Sequence, residues 1–100
     1  MARAIIIDPS DNVASLTEEG KRGETFDDEV KGEKLSIKLK SDIPFGHKFA
    51  LRAIAKDELI IKYGRPIGAA MEFIEPGAHV HLHNCAGLRG RGDLKGGKGS

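Results

Sequence analysis

Hydrophobic and polar residues alternate most regularly over residues 34–40, where Leu35, Ile37 and Leu39 occupy every second position. The intervening residues are lysine or serine. Residues two apart lie on the same face of a β-strand, so this pattern predicts a strand with one face in the core and the other in water.

Shorter apolar or β-branched runs predict further strands over residues 4–7, 49–55 and 59–63, and from residue 67 onward. Turn-forming proline and glycine residues separate these runs at intervals of roughly ten residues, which favours a compact all-β domain. At most one or two short helical turns are expected, over residues 13–16, with Asp11 or Asn12 as the N-cap. The acidic stretch 18–29 is predicted to be a solvated loop.

A histidine follows or precedes each apolar residue in the run His79-Val80-His81-Leu82-His83. Read as a strand, this run directs Val80 and Leu82 into the core and the histidines to the opposite face. Neighbouring residues on one face are roughly 6.5–7 Å apart, so two histidines could bind one ion, whereas three could do so only if the strand bends. Imidazole is a common proton carrier and metal ligand, and the predicted ligands are His79 and His81. An exposed strand with incidental histidines fits the spacing equally well.

A fourth histidine, His47, is followed by Lys48 at the entrance to a predicted strand, directly after a glycine turn. A neighbouring ammonium lowers the pKa of an imidazole and can bind a carboxylate. Spacing alone favours a surface histidine in a turn. Cys85 has no activating neighbour except His83, which favours an incidental or buried thiol over a nucleophile.

Length and composition limit the possible functions. The chain has 100 residues with a net charge of +1, so neither nucleic acid nor a membrane is an expected partner. A chain of this size has little interior in which to enclose an active site, which favours a site shared with another chain. The single cysteine excludes an intramolecular disulfide and fits a reducing compartment, and the apolar run 4–7 is too short for a signal or a membrane span. The cytoplasm is therefore the expected location.

Residues 86–100 are dominated by glycine interleaved with arginine and lysine. Such a composition cannot bury enough apolar surface to fold. The sequence thus predicts one β domain over residues 1–85 and a flexible basic tail over residues 86–100.

Several ordered motifs resemble one protein family. Residues 42–51 (DIPFGHKFAL) are similar to the IPxGHKxAL signature of the SAF-type domain of the altronate/galactarate dehydratase family. The similarity includes residues 11–14 (DNVA), 61–64 (IKYG), 67–70 (IGAA) and 79–84 (HVHLHN), which looks like the family's HVHxHN. The resemblance also extends to the small subunit of sulfolactate sulfo-lyase.

This resemblance implies a small SAF-type β-clip fold and a role as the small subunit of a two-subunit hydro-lyase. The implied partner is a large catalytic dehydratase subunit, and the implied substrate is a sugar acid or a related hydroxy acid. The family generally uses a divalent metal such as Fe²⁺ or Mn²⁺. Association of the chain with copies of itself is left open.

Removal of water next to a carboxylate needs a base for the α-proton and positive charge to stabilise the intermediate. The resemblance implies that His47, Lys48 and His83 act in catalysis and that His79 and His81 bind the metal. Other possibilities are a non-catalytic ligand-binding or interaction module, a sulfite-eliminating lyase subunit, and a stand-alone antifreeze-like or metal-carrying protein.

Overall fold

The computed structural model describes residues 1–87, and this part of the chain consists of β-strands, turns and bends without a helix. The strands are β1 (Ala4–Ile5), β2 (Val13–Leu16), β3 (Thr25–Val30), β4 (Glu33–Lys38), β5 (Lys48–Ala50), β6 (Leu59–Lys62), β7 (Arg65–Ala70), β8 (His79–Val80) and β9 (Cys85–Gly87). The prediction of a small all-β domain is confirmed.

All strand pairs among these residues are antiparallel. One sheet has the order β1-β2-β5-β8, a second has the order β6-β7-β9, and β3 and β4 form a separate hairpin. In the part of the chain that the structure describes, no helix is long and apolar enough to cross a membrane.

A ten-residue loop is repeated four times between the strands, over residues 17–26, 40–49, 51–60 and 71–80. The seventh residue of each loop has a positive φ: Gly23 (90°), Gly46 (84°), Asp57 (72°) and Gly77 (84°). The tenth residue is buried in each case: Phe26, Phe49, Ile60 and Val80. The left-handed conformation turns the chain so that this tenth side chain enters the core.

The four loops exchange hydrogen bonds in two reciprocal pairs. Gly23 N donates to the carbonyl of Leu39, just before the second loop, and Gly46 N donates to the carbonyl of Leu16, just before the first. In the second pair, Asp57 N of the third loop donates to the carbonyl of Ala70, just before the fourth loop. Gly77 N of the fourth loop donates to the carbonyl of Ala50, just before the third loop. The first two loops form one half of the domain, and the last two form the other.

Each half has its own apolar cluster. The first contains Leu16, Phe26, Leu39, Ile43 and Phe49 among others, and the second contains Ala50, Ile54, Ile60, Ala70, Ile74 and Val80 among others. Phe26 and Phe49 pack edge to face with ring centroids 5.3 Å apart. Two adjacent residues of β5, Phe49 and Ala50, belong to different clusters, so this strand joins the two halves.

The helical turn predicted over residues 13–16 is wrong, because these residues form β2, which pairs with β1 on one side and β5 on the other. This strand is central and buried, and it is only four residues long, so periodicity does not distinguish it from a helical turn. Asn12 does not cap a helix: its side chain donates to the carbonyl of Leu59 and accepts from the amide of Ile61. Asp11 accepts a hydrogen bond from the amide of Gly64.

The prediction that residues 18–29 form a solvated loop is also wrong for their C-terminal part. Thr25–Val30 is β3, which pairs with β4 along its whole length. Its acidic residues are exposed, and Phe26 anchors it to the core. The connecting residues Lys31 and Gly32 have φ values of 53° and 80°, typical of a two-residue hairpin turn.

Two predicted boundaries also shift. The strand expected over residues 49–55 is the shorter β5, because the third loop begins at residue 51. The predicted tail begins inside β9, where Ala86 pairs with Ala69 and Gly87 with Gly68. The rest of that tail, residues 88–100, lies outside the described residues.

The repeat provides a matched pair of glycines for a stability test. A Cβ on Gly77 would overlap the Lys38 carbonyl oxygen, whereas a Cβ on Gly23 would meet nothing within 4 Å. Both residues have a positive φ, which costs a non-glycine residue about 1–2 kcal/mol. We expect Gly23→Ala to lower the free energy of unfolding by about that amount and Gly77→Ala by clearly more, as measured by urea denaturation. Equal losses in the two variants would contradict the packing at Gly77.

Candidate metal centre

The pairing of β5 with β8 brings His47 to the C-terminal histidines. Phe49 lies opposite His79, and Lys48 lies opposite Val80. His47 is the eighth residue of the second loop, and its amide donates to the carbonyl of Pro44, which closes the turn. Two segments more than thirty residues apart in sequence therefore present their imidazoles at the junction between the two halves.

Three imidazoles converge at this junction. Nδ1 of His47 lies 2.9 Å from Nε2 of His79, within hydrogen-bonding distance. The rings of His47 and His81 stack with centroids 4.1 Å apart and an interplanar angle of 18°. One ring nitrogen from each of His47, His79 and His81 lies within 4.8 Å of the other two. We call these three residues the histidine cluster.

The predicted histidine strand is only partly present. β8 ends at Val80, and the chain turns over residues 81–84. Val80 is buried as expected, but Leu82 is 80% exposed, so its predicted place in the core is wrong. This turn supplies the bend that allows His79 and His81 to approach one point, together with a third ligand from another segment.

Asn84 holds the turn and was missed as a site residue. It is 4% exposed. Its Oδ1 accepts from the amide of His81 at 3.0 Å, and its Nδ2 donates to the carbonyl of His79 at 2.8 Å. The available signal was an asparagine directly after the histidines, since asparagine side chains often bond to nearby backbone in turns.

His83 and Lys48 lie beside the cluster and are not part of it. The His83 ring is exposed, with its centroid 5.2 Å from that of His79. Lys48 lines an open cavity of about 210 Å³ together with His81, Leu82 and Cys85. These two predicted catalytic residues therefore border the cluster on different segments.

Burial and neighbouring charge favour the neutral forms of His79 and His81 by lowering their pKa values. Burial lowers the pKa of His79 to about 4, and repulsion from His47 acts in the same direction. The pKa of His81 is also lowered, first by burial and then by His47 and Lys48. Neutral imidazole is the form that binds metal ions.

The donor set fits a divalent transition metal. Imidazole nitrogens bind such metals at about 2.0–2.1 Å, which places tetrahedral ligands roughly 3.3 Å apart. The separations in the cluster, 2.9 Å for His47–His79 and up to 4.8 Å overall, bracket that value. Three protein ligands with a further position open to water or substrate are typical of catalytic metal sites.

Cys85 lies outside the histidine cluster and behaves as the sequence suggested. It is free and half-buried, and burial raises the pKa of its thiol. Its sulfur would lie 2.8 Å from a Cβ on Gly68, so it packs against the β7 backbone. The nearby charge of Lys48 acts in the opposite direction, but burial outweighs it, so the thiol pKa stays above its usual range.

The low pKa of His79 predicts that the metal-free domain loses stability in acid. An unfolded histidine titrates near 6.5 and the folded His79 at about 4, so the unfolded state binds more protons between these values. Stability is therefore complete above pH 6.5 and falls as the pH approaches 4. We expect a loss of about 1–2 kcal/mol, after allowing for solvent screening of this partly exposed group. Urea unfolding in the presence of a chelator at several pH values measures the loss.

His79→Asn should flatten that pH dependence, whereas His83→Asn should preserve most of it because His83 is exposed. An equally steep loss of stability in the His79 variant would show that another group controls the acid sensitivity.

Asn84 offers a direct test of how the turn positions the cluster. Asn84→Asp replaces the amide group that donates to the His79 carbonyl with an oxygen that can only accept. We expect a loss of about 1–3 kcal/mol in unfolding free energy. Ala53→Asp, at an exposed loop position where the second loop carries Asp42, serves as the control and should have little effect. Unchanged stability and unchanged histidine NMR shifts in Asn84→Asp would contradict the positioning role.

Comparison with known proteins places this arrangement in a family. The altronate/galactarate dehydratase SAF domain matches residues 2–87, which include the histidine cluster and Asn84. The altronate dehydratase of Bacillus subtilis is 49% identical over 59 residues, a match that covers 54% of this chain and 12% of that protein. The altronate dehydratase of Escherichia coli is 50% identical over 56 residues, covering 56% of this chain and 11% of that protein.

A second kind of relative is much shorter. The (2R)-sulfolactate sulfo-lyase subunit alpha of Paracoccus pantotrophus is 50% identical over 49 residues, which covers 49% of this chain and 73% of that subunit. The match thus spans about a tenth of the dehydratase relatives and most of the sulfo-lyase subunit. Because the family match extends over residues 2–87, the chain belongs to the altronate/galactarate dehydratase SAF domain family.

Proposed function

We propose that this domain supplies three imidazole ligands to a divalent metal site of a hydro-lyase, and that a larger polypeptide completes the site. The convergence of His47, His79 and His81 carries the proposal. Family membership supports the reaction class, because the relatives are named as a dehydratase and a sulfo-lyase.

The proposed ligand set differs from that inferred from the sequence in the role of His47. Its Nδ1 lies 2.9 Å from His79, and its ring stacks on His81, so it is placed as a third ligand and not as a separate base. The lowered pKa values of His79 and His81 keep these two side chains in the form that binds an ion. The metal, when bound, supplies Lewis acidity at the hydroxyl or carboxylate of the substrate.

In this proposal, Lys48 and His83 act on the substrate beside the metal. Lys48 lines the cavity next to His81, where its ammonium group can bind the carboxylate of a hydroxy acid. His83 is exposed on the other side, in a cavity of about 350 Å³ that His79 also lines. An accessible imidazole is suited to accept the α-proton of an acid substrate.

The donor set also bears on the metal. Imidazole ligands suit iron, whereas manganese prefers carboxylate and water oxygens. We therefore propose Fe²⁺ for the three histidines, with Mn²⁺ binding only if the larger polypeptide adds carboxylate ligands. The substrate class is a sugar acid or related hydroxy acid, and sulfolactate is the alternative that the sulfo-lyase relatives suggest.

A metal-free module that binds a carboxylate is the second candidate. It is favoured by the hydrogen-bonding distance between His47 and His79, because such a pair satisfies its own polar groups without an ion. The pKa of about 4 keeps the His79 ring neutral at neutral pH, however, which favours metal binding over an ion pair with a carboxylate. The metal site is therefore the better explanation of the cluster.

A pair of histidine substitutions tests the proposal. His81→Ala should lower metal affinity at least tenfold and abolish dehydration of hydroxy acids by the domain together with its large dehydratase partner. His83→Ala should retain the metal and lose turnover, because His83 lies outside the cluster. Metal content is measured by mass spectrometry, and turnover is measured for the domain alone and with the partner.

Full turnover of the complex with His81→Ala would contradict the proposal. Metal binding without turnover, with or without the partner, would favour a metal carrier. Turnover that needs the domain but no metal would favour the metal-free module.

A further inference from the structure

Large apolar side chains surround the histidine cluster and remain in solvent. Phe45 is 69% exposed at the tip of the turn that ends in His47. Phe73 is 60% exposed and lines the cavity shared by His79 and His83. Leu82 is 80% exposed and lines the cavity on the His81 side. We call Phe45, Phe73 and Leu82 the apolar rim.

The fourfold loop repeat allows Phe45 and Phe73 to be compared with the equivalent residues of the other loops. Phe45 is the sixth residue of its loop, where the first and third loops have Arg22 and Lys56. Phe73 is the third residue of its loop. The equivalent residues in the other loops are Glu19, Asp42 and Ala53. At these two positions, the first and third loops carry three charged residues and an alanine. The second and fourth loops, which contain His47 and His79, carry the two phenylalanines together with Asp42 and Pro76.

The fold itself gives no reason for this difference. The equivalent charged residues Arg22 and Lys56 are exposed, so the loop does not need an apolar side chain at its sixth position. Exposed aromatic residues around a polar centre are typical of interfaces, where they act as anchors in pockets of the partner. By contrast, the exposed face of the β3–β4 hairpin carries Asp27, Glu29 and Lys34.

The proportions of the relatives indicate the kind of partner. In the two altronate dehydratases, the matched segment is 12% and 11% of the chain, so most of the polypeptide lies outside this domain. A three-histidine site on an open surface also needs a second wall to exclude water and hold the substrate. One larger polypeptide would provide both the wall and the apolar pockets.

We propose that the apolar rim is the docking surface for the large dehydratase polypeptide, which covers the histidine cluster and closes the site. This inference rests on the proposed function and adds the face through which the two parts meet. Phe45 and Leu82 lie on different segments, close in sequence to His47 and His81, and each acts as an anchor.

The test uses substitutions to lysine, the residue that the third loop carries at the position of Phe45. Phe45→Lys and Leu82→Lys should each weaken binding to the purified large dehydratase polypeptide of the same genome at least tenfold, and the double variant at least a hundredfold. Ile7→Lys is the matched control: Ile7 is 57% exposed but lines a different cavity, beside the hairpin turn at Lys31. It should change the affinity less than twofold. Titration calorimetry gives the affinities.

Measurement of metal content distinguishes a failure of the docking surface from a failure of the proposed metal site. The rim variants should bind as much metal as the unsubstituted domain, because none of the rim residues is a ligand. Normal binding of the partner by both variants would overturn the docking surface while leaving the metal proposal to the His81→Ala test. The docking surface would also be overturned if the unsubstituted domain did not bind the partner. It would be overturned too if the only effect of the substitutions were to dissociate a dimer of this domain. Phe45→Ser and Leu82→Ser replace any lysine variant whose thermal melting shows that it has not folded.

Discussion

The antiparallel pairing of β5 with β8 is the contact on which the rest of the molecule depends. It joins the two halves, each of which is a reciprocal pair of loops with its own apolar cluster. Phe49 of the first apolar cluster pairs with His79 across the two strands. The next residue, Val80, belongs to the second apolar cluster. The backbone hydrogen bonds that assemble the histidine cluster therefore also help to hold the halves together, alongside those of Asn12 to Leu59 and Ile61.

The proposed metal site at this junction would have a physical consequence. His47 comes from the first half, whereas His79 and His81 come from the second half and the turn after it. An ion bound by all three would hold the halves together, so metal binding and folding stability would be coupled. In the structure, the His47 ring stacks on that of His81 and lies within hydrogen-bonding distance of His79.

The loop repeat also explains how so small a domain can carry a site. The backbone of each loop is held by its own turn and by its partner loop, so its outer residues are free to vary. Within each loop, some positions therefore maintain the fold and others can vary. The seventh and tenth positions keep their conformation or burial, whereas the sixth and eighth differ widely and include Phe45 and His47.

The sequence by itself determined the all-β class and most of the strand predicted over residues 34–40, which is observed as Glu33–Lys38, because these depend on alternation and local motifs. It could not identify β2 or β3, since a central buried strand and a charged hairpin strand both lack alternation that identifies them locally. It also directed Leu82 inward, whereas the Asn84 hydrogen bonds turn the chain at that point. Only the tertiary structure decided that His47 joins His79 and His81, because that contact depends on a strand pairing between distant segments and not on spacing.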